Sequence, residues 1–330
     1  MQFPQIIPIL SVAIATSTPL VFACLGETIT ERSGVINLSA EGTVMLTAMT
    51  AFAIAKTTES WGTFPCLLLG FMGAGCVGAL IAAIVAFGAL TLKQSQVAIG
   101  FVLALLCADL SSFLGNAFVR IPGPTVPSLR LPGLQQIPVV GELLFQSDGL
   151  VYASFLLILL TWLYFYRSRS GLMLQALGEQ PAAAFARGTN VVRMRYLYTM
   201  LGGALMGIAG AAFSLDFKAG WSYRHTAGYG WIALAIVIFG GWNPLRVALS
   251  CYLFGILQSL ASLAQSALPE VPTQALTIAP FVLMILLLVF TSSHWLETLF
   301  RYLPEQVGRI ATQSISSRPP AALGKGFEQD

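Results

Sequence analysis

Nine apolar segments follow one another along the chain, at 6–25, 42–57, 64–90, 97–115, 149–166, 196–215, 227–242, 245–266 and 272–291. The hydrocarbon core of a bilayer is about 30 Å thick and takes about 20 residues of helix to cross. It holds no water, so every backbone N–H and C=O inside it must find a partner within the protein. Runs of this kind predict an all-α, polytopic membrane helix bundle of about nine membrane segments. Charged residues make up 9% of the 330 and mean hydropathy is +0.78. A soluble domain carries about 25% charge, so a water-facing fold is excluded. The segments at 42–57 and 227–242 are short, which suits one or two broken or tilted helices held inside the protein. No positively charged stretch precedes 6–25, so a cleaved signal peptide is not expected there. Pro19 is expected to kink this first helix.

Lysine and arginine set the expected orientation. The stretch 167–195 holds Arg167, Arg169, Arg187, Arg193 and Arg195 against one acid, Glu179. With that stretch in the cytoplasm, alternation puts twelve of the 17 basic residues inside and five outside. The N-terminus is then outside and the C-terminus inside, as for a multi-pass protein of the bacterial inner membrane. On this reading residues 1–310 form one transmembrane domain. Residues 116–148 are its main outer loop, stiffened by Pro122, Pro124, Pro127, Pro132 and Pro138. Residues 311–330 read as a polar, disordered cytoplasmic tail. A net charge of +3 gives no basic footprint for nucleic acid. The five cysteines contain no CxxC pair and read as small buried hydrophobes, with no metal site expected.

Small residues recur every four positions at Gly70, Ala74, Gly78, Ala82 and Ala86, and again at Gly203, Gly207 and Ala211. Spacing of this kind predicts close helix–helix seams. Ionisable groups at membrane depth are few, and such groups are functional candidates. Asp109 lies inside 97–115, near its outer end, where pairing with a polar neighbour competes with a functional role. Glu31 and Arg32 suit a solvated position at the inner face. The stretch Ser33–Gly42 mixes Gly, Asn and Ser with apolar residues. It fits a re-entrant turn feeding a helix whose N-terminus points into the protein, and equally a plain helix-breaking turn. His225 and His294 fall near span ends. No HExxH, GxSxG or GxxxxGK[ST] occurs, so the chain shows no protease, esterase or phosphate-loop signature of its own. No ladder of spaced acids suggests ion coupling.

The stretch 171–190 contains a short helix candidate. Pro181 suits its first position and Gly188 its C-terminal stop. Four alanines, Phe185 and Arg187 lie between, and a helix this short persists only when docked. Phe185 would be its apolar anchor and Arg187 its charged rim. In its Ala-Leu-Gly-Glu-Gln-Pro-Ala-Ala-Ala form at 176–184, this stretch resembles the coupling segment of ABC-importer permeases. The closer resemblance is to the simple-sugar and nucleoside branch, related to branched-chain amino acid permeases, which commonly shows Ala-Val-Gly-Glu-Asn-Pro; Gln180 replaces the Asn. Gly26–Leu38, Glu41-Gly42 and Gly230–Pro244 resemble the same branch, most closely its shorter nucleoside permease subunit. Where such members carry an Asn after Gln96-Val97, this chain has Ala104.

The resemblance implies that two permease chains, identical or different, form a pathway at their interface. A separate ATP-binding subunit would hold ATP and Mg, with no cofactor on this chain, and an extracytoplasmic binding protein would deliver a small polar solute. Carried onto this chain, it implies that Gly178, Glu179, Pro181, Ala182, Phe185, Arg187 and Gly188 transmit closure of the ATP-binding subunit. It also implies that Asn37, Ser39, Glu41, Phe101, Trp231 and Asn243 line or gate the pathway. Phe101 and Trp231 could stack on a base or sugar ring, or simply pack. The alternatives are a self-sufficient secondary carrier, which the scarcity of intramembrane charge disfavours, and a membrane-embedded enzyme, which the missing catalytic motifs disfavour.

Overall fold

The structure, a computed structural model, describes residues 3–129, 147–226, 228–267, 270–291 and 319–327. The described residues are helical with extended connections, and each of the nine apolar segments forms a helix. These are α1 (Phe3–Arg32), α2 (Ala40–Thr57), α3 (Thr63–Ala86), α4 (Gln96–Leu114), α5 (Gly149–Arg167), α8 (Val191–Ala212), α9 (Tyr229–Phe239), α10 (Pro244–Ala267) and α11 (Thr273–Thr291). Two further helices, α6 (Arg169–Glu179) and α7 (Pro181–Ala186), lie between α5 and α8. His294, Arg301, Arg309, Arg318, the middle of the 116–148 loop and most of the 311–330 tail lie outside the described residues.

Among the described residues, six helical stretches are long and apolar enough to cross a bilayer: Ile7–Arg32, Thr63–Thr91, Gln96–Phe118, Gly149–Arg167, Val191–Phe217 and Pro244–Ala267. The expectation of nine crossings is thus reduced to six by length and composition. The reason differs for each of the other three. α2 has 18 residues but carries Glu41, Lys56 and four threonines. α9 has only 11 residues, about 16 Å of helix, or half the hydrocarbon core. In α11 only Thr273–Leu287 counts, as a shorter apolar helix.

α2 is the central element, with every residue from Ser39 to Met49 buried. α1, α3, α4, α8 and α9 surround it. The outer helices turn large apolar side chains outward, among them Leu68, Met72 and Leu80 on α3, Leu105 and Leu106 on α4, and Leu156 and Leu159 on α5. Such a belt is suited to lipid. One apolar cluster joins Leu20–Leu25 of α1 to α9 and α10, and another joins α2, α3, α4 and α8.

The two small-residue stripes meet each other. A Cβ on Gly78 would overlap the carbonyl of Gly203, and one on Gly207 would overlap that of Ala74. The absence of side chains there lets α3 and α8 touch backbone to backbone. α1 continues through Pro8 and Pro19 without interruption. Glu31 overturns the solvated reading, since it is 5% exposed, and Glu27, one turn earlier, is fully buried. Asp109 pairs with Arg224 at 3.6 Å on the surface. His225 is partly buried, its Nδ1 2.8 Å from the Ser222 carbonyl oxygen.

Candidate functional site

The linker between α1 and α2 is held by its own polar side chains. Asn37 Oδ1 accepts the Ser39 N–H at 3.2 Å and the Ser39 hydroxyl at 2.6 Å, and Ser39 Oγ lies 3.2 Å from Thr43 Oγ1. This is an Asn-stabilised turn, and both side chains are buried, with Asn37 Nδ2 directed at Met206 Sδ of α8 at 4.0 Å. Ile36 N–H donates to Gln96 Oε1 at 2.8 Å, tying the linker to the start of α4. A Cβ on Gly42 would overlap the Ala104 backbone, so α2 and α4 also touch closely beside the linker.

Glu41 follows in the first turn of α2. Its Oε1 accepts the Gly228 N–H at 2.6 Å, and its Oε2 accepts those of Gly230 at 2.9 Å and Trp231 at 3.3 Å. These are the unpaired donors at the start of α9, where a negative charge also meets the positive end of the helix dipole. Gly230 is required for the approach, because a Cβ there would overlap the backbone of Ala40 and Glu41. The first turns of α2 and α9 are thereby clamped together. Beside the clamp, the rings of Phe101 and Trp231 lie 6.5 Å apart at 44°. Both are open at the surface, at 49% and 41% exposed.

Of the residues read from the sequence as pathway-lining, the structure brings Glu41, Trp231 and Phe101 together and keeps Asn37 and Ser39 buried behind them. Asn243 lies at the opposite end of α9. Its Oδ1 accepts the N–H groups of Leu245 at 3.1 Å and Arg246 at 3.4 Å, while its Nδ2 donates to the Tyr166 hydroxyl at 3.1 Å. It caps α10.

The far end of α9 meets the short helices. The indole of Trp242 donates to the Glu31 carboxylate, Arg32 Nε donates to the Trp242 carbonyl at 3.1 Å, and Arg32 pairs with Glu179 at 3.5 Å. Glu179 ends α6, and Gly178 before it packs where any Cβ would overlap the Arg32 carbonyl. α7 then begins with Pro181 at its first position and stops at Gly188, whose φ is +85°. Ala184 is buried against Phe165, Leu174, Leu177, Val191 and Tyr198. Ala182, Phe185, Arg187 and Gly188 face outward. The seven residues of this stretch thus divide in two. Gly178 is buried against α1 and the exposed Glu179 reaches Arg32 of α1, while most of α7 is presented to a neighbour.

Two buried ionisable groups lie outside the residues read from the sequence as pathway-lining or coupling. Arg195, counted there as a loop charge, is fully buried. Glu27 is fully buried with neither carboxylate oxygen hydrogen-bonded among the described residues. Nothing in the sequence marks Arg195 as buried, whereas Glu27 shows as one of the few acids close to an apolar run.

The model of a family described as "Branched-chain amino acid transport system / permease component" matches residues 9–291. The chain is 34% identical over 330 residues to "Putative glucose ABC transporter permease protein TsgC13" of Haloferax volcanii, covering 98% of each chain. It is 31% identical over 279 residues to the nucleoside ABC transporter permease protein NupC of Lactococcus lactis, covering 82% of this chain and 88% of the relative. With the guanosine ABC transporter permease protein NupQ of Bacillus subtilis it shares 32% identity over 302 residues, 86% of this chain and 93% of the relative. No solved structure matches it.

Proposed function

The chain belongs to the permease-component family of branched-chain amino acid transport systems and is a membrane-spanning subunit of an ABC transporter, and on that premise we propose that it carries a nucleoside or simple sugar inward past Phe101 and Trp231. The substrate class follows the names of the relatives, which cite glucose, nucleosides and guanosine. The observation that carries the mechanism is the position of α9. Its first turn is clamped to α2 by Glu41, and the turn after it is tied through Trp242 to Arg32 and so to Glu179. An element of about 16 Å held at both ends moves as one piece, so displacement of the α6–α7 stretch reaches the aromatic pair.

On this reading α7 faces the cytoplasm and is the docking element for a separate subunit that binds ATP and Mg. Its exposed Phe185 and Arg187 are the contact groups, and Gly178 and Glu179 pass the movement inward. The open Phe101–Trp231 face meets a second permease chain, identical or different, and an extracytoplasmic binding protein delivers the solute. α2, α9 and α11 complete a bundle of nine membrane segments, with α9 a half-helix that begins at membrane depth. Hydrolysis belongs to the partner and no chemistry to this chain.

The test is transport by the reconstituted assembly. Phe185→Asp and Arg187→Glu are expected to abolish uptake while the chain stays folded and membrane-inserted. Wild-type uptake by either variant refutes the docking assignment.

A further inference from the structure

Arg195 is a buried cation with no carboxylate partner among the described residues. Its Nη2 donates to the Leu177 carbonyl at 3.1 Å and its Nη1 to the Lys325 carbonyl at 2.9 Å. Leu177 lies in the last turn of α6, whose carbonyls lack helical partners and carry the negative end of the dipole. On its other side the guanidinium lies against Gly34, whose φ is +96° and where a Cβ would stand 2.6 Å from Nη2. One side chain of α8 therefore touches the α6–α7 stretch, the α1–α2 linker and the C-terminal segment together.

The C-terminal segment joins the same elements by itself. Ala322 N–H donates to the Gly178 carbonyl at 2.7 Å, and Gly324 N–H donates to the Gly34 carbonyl at 3.0 Å. Ala321 N–H donates to Glu179 Oε2 at 3.2 Å. The Phe327 ring lies 5.7 Å from that of Phe185, at 57°. Residues 319–327, expected from their polarity to be part of a disordered tail, form a strap running from the outward face of α7 to the linker below α2.

We propose that Arg195 and the strap form a latch that positions the α1–α2 linker according to the position of the α6–α7 stretch. The latch rests on the reading that an ATP-hydrolysing subunit docks on α7. Arg32 and Trp242 connect that stretch to α9; the latch supplies the matching connection to α2. Its bonds are constrained in direction, since two run between backbone groups, two from a planar guanidinium and one from a backbone N–H to the Glu179 carboxylate. A shift of the α6–α7 stretch therefore either carries Gly34 with it or breaks several bonds at once. Burying a cation is costly unless its hydrogen bonds are made. Nη1 and Nη2 make theirs, while Nε finds no partner among the described residues, so sliding that broke either carbonyl bond would leave a further donor of the buried cation unpaired. Driving both first turns from one stretch would keep Glu41 bonded to α9 throughout the cycle.

The experiment uses the complete transporter, purified with its ATP-hydrolysing subunit, in nanodiscs. Hydrogen exchange of the peptide spanning 33–41 is compared before and after trapping with ATP and orthovanadate. In the wild type, trapping is expected to change exchange at 33–41 by fivefold or more. Two variants test the latch. Arg195→Lys keeps the charge but cannot bridge both carbonyls, and a stop after Arg318 removes the strap. In both, the subunit is expected to stay bound and trapped while the change at 33–41 falls below twofold. A wild-type response in both variants overturns the proposal. So does loss of the subunit from both, since the latch would then be part of the docking surface. Phe327→Ala, which leaves the strap backbone in place, is expected to retain both docking and response, and loss of the response there overturns the backbone-borne form of the latch. Failure of the wild-type subunit to bind α7 instead refutes the docking reading, and Phe185→Asp detects that separately.

Discussion

Replacing Glu41 by glutamine tests the clamp between α2 and α9 with almost no change in shape. The carboxylate divides its bonds, Oε1 holding Gly228 and Oε2 holding Gly230 and Trp231. Glutamine offers one oxygen. If that oxygen keeps Gly230 and Trp231, the amide NH2 faces the Gly228 N–H, donor against donor. One hydrogen bond to a charged group is lost, about 1.5–3 kcal/mol, and the favourable interaction with the helix dipole weakens by about 0.3–1 kcal/mol. A total of about 2–4 kcal/mol corresponds to about a 30- to 700-fold shift in the local opening equilibrium at 1.4 kcal/mol per tenfold. Hydrogen exchange at the amides of 228–231 reads that equilibrium directly. Exchange in Glu41→Gln is expected to accelerate by that factor, and Glu41→Asp, which keeps the charge but is one methylene short, should fall between. An acceleration below threefold in Glu41→Gln refutes the clamp.

Three further predictions follow from packing and local geometry. Gly78→Ala places a methyl against the Gly203 carbonyl and should lower stability by about 1–3 kcal/mol or more, whereas Gly75→Ala, whose nearest neighbours stand 3.8 Å away, should not; thermal unfolding in detergent compares them. Trp242→Phe leaves the buried Glu31 carboxylate without its indole donor, a loss of about 1.5–3 kcal/mol, and should lower the melting temperature while Trp162→Phe leaves it unchanged. Gly188→Ala meets no neighbour within 4 Å but must adopt a φ of +85°, which costs about 1–2 kcal/mol; a stability loss with unchanged docking of the ATP-binding subunit is expected.

The helical bundle was legible because membrane burial writes itself into long apolar runs, and the α3–α8 seam because only small residues permit backbone contact. The short helix at 181–186 was legible for a different reason: Pro181 and Gly188 mark its ends by their own backbone preferences. What stayed hidden depended on partners distant in sequence. The bonds from Ser39 to the Asn37 carbonyl oxygen appear only once the linker is folded, and the partners of Glu41 only once α9 is brought to it from nearly 190 positions away. Arg195 was hidden by a counting rule. Basic residues near helix ends report orientation, yet nothing in that rule separates a solvated arginine from one sealed between carbonyls. The number of crossings is less legible, since length and hydropathy select six spans among the described residues and do not say whether lipid or protein covers the remaining apolar helices.

The occupied state of Glu41 constrains the solute. A carboxylate offers about four lone-pair positions, and three N–H groups already approach this one, so it is poorly placed to take a solute hydroxyl while its charge still opposes an anion. The groups left open beside it are the faces of Phe101 and Trp231, which suit an uncharged ring. Stacking of a base on an aromatic side chain contributes about 1–3 kcal/mol. Phe101→Ala and Trp231→Ala should therefore each raise the KM for a transported nucleoside by about tenfold, taking 1.4 kcal/mol per tenfold. The maximal rate should change little, because neither ring takes part in the bonds that tie α9 to Glu41 and to Arg32. An excess of an uncharged nucleoside should compete for uptake, and the corresponding nucleoside monophosphate should not. Competition by the monophosphate, or a loss of maximal rate with unchanged KM in both variants, would remove the aromatic pair from the solute's path and leave Phe101 and Trp231 as contacts to the second permease chain.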